Sequence, residues 1–199
     1  MKNKFVFGLT TVAIATLLFT ACSKLPQAEI DQANQAIDSA RIAGADVYVP
    51  EAFLGLQDSM KAVTEDIEAQ KSKLFKNYGT SKEKLVQVTQ LAKEVALQSE
   101  ARKVEVKNEV ETGLTEITTL VVENKKLLSQ APKGKEGATA HEAMKNEIAT
   151  VEASVAEAAA LRDKGDLMAA LDKVKAAKEQ ATALNTELKE IIAKYKGGR

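Results

Sequence analysis

Residues 81–130 of this chain read SKEKLVQVTQLAKEVALQSEARKVEVKNEVETGLTEITTLVVENKKLLSQ, with no proline and with Gly113 as the only glycine. Apolar side chains recur there at steps of three and four residues, the spacing of one face of an α-helix. The stretch therefore predicts a helix about 75 Å long. Its apolar stripe comprises Leu85, Val88, Ala92 and Val95, followed by Val110, Leu114, Ile117, Val121 and Leu128.

The stripe thins between Gln98 and Lys107, where only Ala101, Val104 and Val106 are apolar. Two interpretations follow from this gap. The helix is continuous and the gap is the seam between two sets of packing partners, or the chain bends near Glu100.

Helix breakers separate this stretch from its neighbours. Gly44 and Pro50 bracket Ala45–Val49, which is predicted to be an extended linker, and the polar residues 131–138 contain Pro132 and two glycines, which indicates a loop. Further helices are predicted over 28–43, 51–77 and 139–164, and from the Gly165-Asp166 turn to 195. The stripe of the helix at 51–77 is Phe53, Leu56, Met60, Val63, Ile67 and Leu74, and that of the last helix is Ala170, Val174, Ala177, Ala181, Leu184, Leu188, Ile191 and Tyr195.

These elements predict an all-α protein, because the chain is rich in Ala, Glu, Lys, Leu and Val and its long stretches contain almost no Gly or Pro. Short turns favour antiparallel neighbours. We therefore expect an elongated antiparallel helical bundle or coiled coil, built as two three-helix bundles that share the long central helix. The expected domains are an N-terminal bundle over 28–105 and a C-terminal helical hairpin bundle over 106–199.

The start of the chain has the three parts of a secretion signal. Lys2 and Lys4 form a basic head, Phe5 to Phe19 is an apolar run, and small residues precede Cys22. The apolar run is shorter than the ~20 residues of a spanning helix. Residues 1–21 are therefore predicted to be a signal peptide, followed by a short tether over 22–27.

The segment Leu18-Phe19-Thr20-Ala21-Cys22 resembles the lipobox of bacterial lipoproteins, although Phe19 replaces the usual aliphatic residue. The resemblance implies diacylglyceryl transfer to the Cys22 sulfur, cleavage before Cys22 and acylation of its new amine. Several buried acyl chains make such an anchor durable. Since Cys22 is the only cysteine, a disulfide within one chain is impossible.

The residues after Cys22 bear on the membrane that holds it. Ser23 and Lys24 follow, with no Asp beside the cysteine, so the resemblance to inner-membrane retention signals is absent. We expect an outer-membrane lipoprotein that faces the periplasm. The inner membrane stays open as an alternative because the retention rule varies among bacteria.

The segment from Ala40 to Glu51, ARIAGADVYVPE, resembles the start of a helical domain of unknown function (family number 4398) found in bacterial envelope lipoproteins. The likeness extends over about 28–101, although the helix after Pro50 is longer than usual and Phe53 and Leu56 stand where smaller residues are common. The resemblance implies a helical domain and assigns no catalytic residue, because the family has no established activity. The Tyr48 ring is expected to hold the crossover against the bundle.

No motif in the sequence indicates an enzyme. His141-Glu142 resembles half of a zinc-protease motif, but the residue four positions after His141 is Lys145 and there is no second histidine. Phosphate-binding glycine loops, nucleophile elbows and Glu-x-x-His pairs are also absent. The sequence therefore predicts no catalytic residue, no cofactor and no metal site.

The equal numbers of basic and acidic residues, 28 each, and the lack of Trp give no reason to expect a nucleic-acid partner.

Five lysines crowd the predicted turn at Tyr78-Gly79, and we refer to them as the lysine tip. A lysine near the end of a helix is favoured by the helix dipole, which accounts for the lysines before the turn. It does not account for those that begin the next helix, so an anionic partner is the alternative interpretation. The lysine tip comprises Lys71, Lys73, Lys76, Lys82 and Lys84.

The sequence favours a non-enzymatic, membrane-anchored structural or protein-interaction lipoprotein, whose partner is another envelope protein or a second copy of the chain. The alternative from another class is a periplasmic binding module that carries a peptide or apolar ligand between its helices. A third is an accessory subunit that completes a partner's coiled coil. An exposed apolar groove would favour the binding module, and a filled seam would favour the structural protein.

Overall fold

A computed structural model describes residues 24–132 and 137–197 of the chain. The predicted signal peptide and Cys22 lie outside the described residues. Within them the chain is all-helical, which confirms the predicted all-α bundle. No described helix is both long and apolar enough to cross a membrane. The helices are α1 (Gln27–Ile42), α2 (Ala45–Tyr48), α3 (Pro50–Lys71), α4 (Gly79–Gln130), α5 (Gly137–Lys164) and α6 (Leu167–Gly197).

The central helix is continuous. Helix α4 extends over 52 residues from Gly79 to Gln130 and does not break near Glu100, which confirms the prediction of a continuous helix. The thin part of its stripe contains a polar contact that the apolar pattern does not reveal. The buried Ser99 donates its hydroxyl to the carbonyl of Ala43, at 2.7 Å. Val106 is buried as well, whereas Val104 is exposed.

The chain divides into two compact units, with the division between Glu100 and Ala101 inside α4. The sequence places the corresponding boundary at 105. We call residues 24–100 the N-unit and residues 101–197 the C-unit.

In the N-unit, α1 and the first part of α4 run in the same direction. Lys82 near the start of α4 pairs with Glu29 near the start of α1, and Ser99 farther along α4 bonds to Ala43 just after the end of α1. Helix α3 runs the opposite way, because it connects the far end back to α4. The buried core contains Ala33, Ile37 and Ala40 of α1, Ala45 of α2, Phe53, Leu56, Val63 and Ile67 of α3, and Tyr78, Leu85, Val88, Ala92 and Val95 of α4 and the residue before it.

The segment Ala45–Tyr48 forms a short helix, and the prediction of an extended linker was wrong. Gly44 adopts a left-handed conformation with φ of 83°, which a glycine reaches at no steric cost. Its carbonyl then accepts hydrogen bonds from the amides of Val47 and Tyr48, at 3.0 and 2.9 Å. The half-buried Tyr48 ring lies so close that a Cβ added at Gly44 would be 3.0 Å from it.

Helix α3 ends at Lys71, six residues before the predicted end at Asn77. The Ser72 hydroxyl donates to the carbonyl of Ala69 at 2.8 Å, which satisfies a carbonyl of the last turn. The chain then turns so that Tyr78 is buried, and the side-chain oxygen of Asn77 accepts a hydrogen bond from the backbone amide of Gly79 at 3.0 Å. Leu74 was therefore wrongly placed on the buried stripe, because it belongs to the loop and not to the helix.

In the C-unit, α6 runs parallel to α4. Glu116 of α4 pairs with Lys178 of α6, and Glu123 pairs farther along with Lys189. Helix α5 runs the opposite way, because it returns from the end of α4 to the start of α6. It joins α6 through the predicted Gly165-Asp166 turn, where Gly165 has φ of 85°. The last buried apolar residue of α6 is Ile192. The predicted stripe positions Ile191 and Tyr195 were wrong, because Ile191 is only half-buried and Tyr195 is 46% exposed. The buried core contains Val106, Val110, Leu114, Ile117, Val121 and Leu128 of α4, Met144, Ile148, Val151 and Ala158 of α5, and Leu167, Ala170, Leu171, Val174, Ala177, Ala181, Leu184, Leu188 and Ile192 of α6.

Two features fix the contact between α4 and α6 in the C-unit. A Cβ built at Gly113 would overlap Cγ1 of Val174, so the two helices approach closely only because residue 113 is glycine. Farther along, the buried amide of Asn124 donates to the carbonyl of Ala181 and accepts from Asn185, both at 2.8 Å. Asn185 and the Ala181 carbonyl thus satisfy the buried Asn124 amide inside an otherwise apolar contact.

Candidate functional site

The five lysines of the lysine tip lie at one end of the N-unit. Lys71 is the last residue of α3, Lys73 and Lys76 belong to the loop 72–78, and Lys82 and Lys84 lie in the first turns of α4. The early end of α3 moves Lys73 and Lys76 from a helix surface into this loop. The structure thus brings together the residues that the sequence singled out, but on different elements.

Three of these lysines have partners within the N-unit. Lys71 pairs with Glu68 at 2.5 Å, Lys82 pairs with Glu29 at 3.0 Å, and Lys84 pairs with Asp66. Among the described residues, no ion pair involves Lys73 or Lys76. Of the five lysines of the tip, the two without an ion-pair partner among the described residues therefore belong to the loop.

Two large apolar side chains, which sequence reasoning did not single out as a site, lie between those lysines. Leu74 is 87% exposed and Phe75 is 76% exposed. The sequence signal that could have revealed them is the run Lys73-Leu74-Phe75-Lys76, which brings two lysines and two apolar residues next to a turn. We call these four residues the KLFK loop.

The chain enters the N-unit at the end that carries the KLFK loop. The Lys82–Glu29 ion pair joins the first turns of α1 and α4, and the amide of Lys82 bonds to the carbonyl of Tyr78 at 2.9 Å. Pro26, directly before α1, is fully buried. Cys22 lies outside the described residues, a few positions before Pro26.

The chain matches no protein-family profile, no curated protein and no solved structure. The resemblance of 28–101 to the helical domain of envelope lipoproteins stays a prediction.

The Lys82–Glu29 pair gives a pH-dependent prediction. The hydrogen bond from Lys82 lowers the pKa of Glu29 below its ordinary value. A carboxyl whose pKa is lower in the folded than in the unfolded state adds stability above the unfolded pKa, and this is lost as the pH falls through the folded pKa. Replacing Lys82 by Gln should therefore raise the pKa of Glu29 and remove this acid-sensitive contribution, which is small because the pair is open to water.

Carboxyl chemical shifts followed by NMR across an acid titration would measure this pKa. Lys73→Gln is the matched control, because it removes one charge from the same end of the N-unit without a carboxylate partner. A Glu29 pKa that rises equally in both variants would contradict a specific pair and indicate only the general field of the lysines.

The C-unit contains an open groove beside the Gly113–Val174 contact, with a volume of about 590 Å³. Leu171 and Val174 give it an apolar floor, and ionised groups line its sides. Lys178 pairs with Glu116 at 2.5 Å across α4 and α6.

The acidic side chains at one end of this groove form ion pairs with an arginine of the same helix. Arg102 binds Glu109 at 2.6 Å and Glu105 at 3.1 Å. The hydrogen bonds that Arg102 donates to Glu109 and Glu105, with the larger effect from Glu109, raise the pKa of Arg102 further above its ordinary value. The carboxylates of Glu105 and Glu109 thus already have a counter-charge.

His141, the histidine of the partial zinc-protease motif, makes a contact between two helices. His141 lies in the first turns of α5 with Nε2 3.2 Å from the carbonyl of Leu128, near the end of α4. In the part of the chain that the structure describes, no three His, Cys, Asp or Glu side chains are grouped so that they could hold a metal ion. Every buried side-chain nitrogen or oxygen in the same part has a hydrogen-bond partner.

Proposed function

We propose that the protein is a non-enzymatic lipoprotein of the bacterial cell envelope that acts as a membrane-anchored structural or protein-interaction component. The observation that carries the proposal is the position of Cys22. It follows a segment with the features of a secretion signal and precedes α1, which begins at Gln27, by a short tether. Acyl chains on Cys22 would hold the helices close to the membrane surface.

The packing of both units supports a structural or interaction protein. The apolar stripes of α3, α4 and α6 are buried against other helices, so the seams are filled. Most charged groups lie on the outer helix faces, where ion pairs between helices, such as Lys125–Glu152 and Lys189–Glu123, connect neighbouring elements. Surfaces of this kind are suited to contact with another envelope protein or with a second copy of the chain.

The proposed location is the outer membrane, facing the periplasm, with the inner membrane as the alternative. The absence of Asp beside Cys22 supports this choice. Crosslinking in living cells, followed by identification of the attached protein, would name the partner.

Replacing Cys22 by Ser should abolish labelling of the protein by a fatty-acid probe and release it from the membrane, or leave it uncleaved. The reason is that serine has no thiol to receive the diacylglyceryl group. Metabolic labelling and membrane fractionation would measure the effect. As a matched control, Thr64→Cys in the Cys22→Ser background adds a thiol on an exposed face of α3 and should not restore labelling. A Cys22→Ser protein that still labels and remains with the membrane would show that the lipobox interpretation is wrong.

The alternative function is a binding module for a peptide or apolar ligand, and the groove beside Gly113 favours it. Its volume lies within the range of small-molecule sites, about 300–1,000 Å³. The groove is open, however, and Lys178 and Glu116 at its sides already pair with each other. A ligand that copurifies with the protein and is lost when Val174 is replaced by Lys would favour the binding module.

A further inference from the structure

We propose that the KLFK loop docks onto an anionic phospholipid membrane, the same membrane that holds the acyl chains of Cys22. In this arrangement the side chains of Leu74 and Phe75 enter the interface, and Lys73 and Lys76 contact lipid phosphates. The inference rests on the proposed function, because it needs Cys22 to be anchored, and it adds a second membrane contact at a defined place.

The first observation is the exposure of two adjacent large apolar side chains. Leu74 and Phe75 are 87% and 76% exposed, whereas Tyr78, three residues later, is buried in the core of the N-unit. Within the loop 72–78, Tyr78 therefore fills the core, and Leu74 and Phe75 remain available for burial against something else. Apolar residues exposed next to each other indicate a surface that is covered in use.

The second observation is the charge around them. Lys73 and Lys76 flank the apolar pair and have no ion-pair partner among the described residues, although acids pair with the other three lysines of the tip. Lysine side chains can extend their ammonium groups to headgroups while their methylene chains lie along apolar surface. Basic residues next to inserted apolar ones are typical of segments that bind anionic lipid interfaces.

The third observation is the distance to the anchor. The Lys82–Glu29 ion pair places the start of α1 beside the start of α4, and only Asn77 and Tyr78 separate the KLFK loop from α4. An extended chain advances at most ~3.6 Å per residue, so the segment that connects Cys22 to the buried Pro26 can span at most about 15 Å. An anchored Cys22 therefore brings this end of the N-unit, and not the end at Ser99, close to the lipid surface.

The two contacts would act together. Once the acyl chains are inserted, the loop meets the membrane without a further diffusional encounter, so a weak interaction suffices to keep it docked. Docking would fix which end of the N-unit faces the lipid, which an acyl chain on a flexible tether cannot do alone.

The test uses the absence of tryptophan from the chain. Phe75→Trp places a single fluorophore in the loop at a position that is open in the folded protein. Leu97→Trp is the matched control, because Leu97 is 72% exposed and lies near Ser99, at the opposite end of the N-unit. Both acylated full-length mature proteins are reconstituted into vesicles of phosphatidylglycerol and phosphatidylcholine, some with acyl chains brominated to quench nearby tryptophan.

We expect both proteins to float with the vesicles. Emission of the tryptophan at 75 should shift to shorter wavelength and be quenched by the brominated lipid, while that of the tryptophan at 97 should remain as in solution. Replacing Lys73 and Lys76 by Gln should lower the ratio of docked to undocked loop by roughly thirtyfold, since each lysine near an anionic surface contributes about 1 kcal/mol.

Each contrary result overturns a separate part of the inference. Flotation without a change at position 75 would overturn docking and leave the anchor intact, and the loop would then be free for an acidic protein partner. Equal quenching in vesicles of phosphatidylcholine alone would overturn the role of anionic lipid. A shift already complete without vesicles would mean that protein covers the loop. Absence of flotation would overturn both the docking and the lipoprotein function.

Discussion

Replacing Ile117 by Ala should lower the free energy of unfolding of the C-unit by about 2–5 kcal/mol. The Ile117 side chain is fully buried, so its removal leaves a cavity in the packing around α4 in addition to the lost apolar burial. Contacts in the chain fall into two compact units, so the loss should be local. Hydrogen exchange should quicken in α5 and α6, while the amides of α1 and α3 keep their protection.

Leu56→Ala is the reciprocal variant. Leu56 is fully buried in the N-unit, and its replacement likewise shortens a large aliphatic side chain to a methyl group. It should quicken exchange in α1 and α3 and spare α5 and α6. If either variant weakened protection equally throughout, the chain would unfold as one cooperative body, in which α4 couples the two units.

The second large effect is expected at Gly113. Alanine there would gain about 1 kcal/mol from its higher helix propensity, but its Cβ would overlap Cγ1 of Val174. Valine is stiff about its first side-chain torsion and cannot easily move the methyl away. Overpacking of this kind typically costs about 1–3 kcal/mol, so after the gain in helix propensity we expect a net destabilisation of up to about 2 kcal/mol. Urea denaturation of the variant would measure it.

A double-mutant cycle separates the clash from the propensity. In a Val174→Ala background the overlapping methyl is gone, so Gly113→Ala should become stabilising by up to about 1 kcal/mol. Gly55→Ala is the matched control in the wild-type chain, since an added Cβ there meets no atom within 4 Å. A Gly113→Ala variant that is equally destabilised in both backgrounds would contradict the close approach of α4 and α6 as the cause.

The helices were predictable from sequence wherever an apolar stripe runs undisturbed between breakers. The stripe from Leu85 to Val95 and that from Val110 to Leu128 are buried as predicted. The errors occur at the helix ends, where single polar contacts decide the outcome. Ser72 closes α3 early, and Gly44 allows the helical turn of α2, neither of which apolar spacing detects.

The lysine tip shows a similar division between what sequence can and cannot provide. The clustering of lysines around Tyr78 follows directly from their order in the chain. Their partners do not, because Glu29 is distant from Lys82 in sequence and meets it only when α1 packs beside α4. The exposure of Leu74 was missed for a different reason, since an apolar residue at helical spacing is normally assigned to a buried face.

The Asn124–Asn185 pair has a consequence for how α6 selects its alignment along α4. The apolar residues of α6 recur so regularly that a slide by one turn, about 5.4 Å, would still bury Ala, Val and Leu side chains. That slide would move Asn185 away from Asn124 and leave buried amide groups without partners, at about 1–3 kcal/mol for each lost partner. The two amides thus add little to the strength of the contact, yet they distinguish one alignment from neighbouring ones that hydrophobic burial would accept equally.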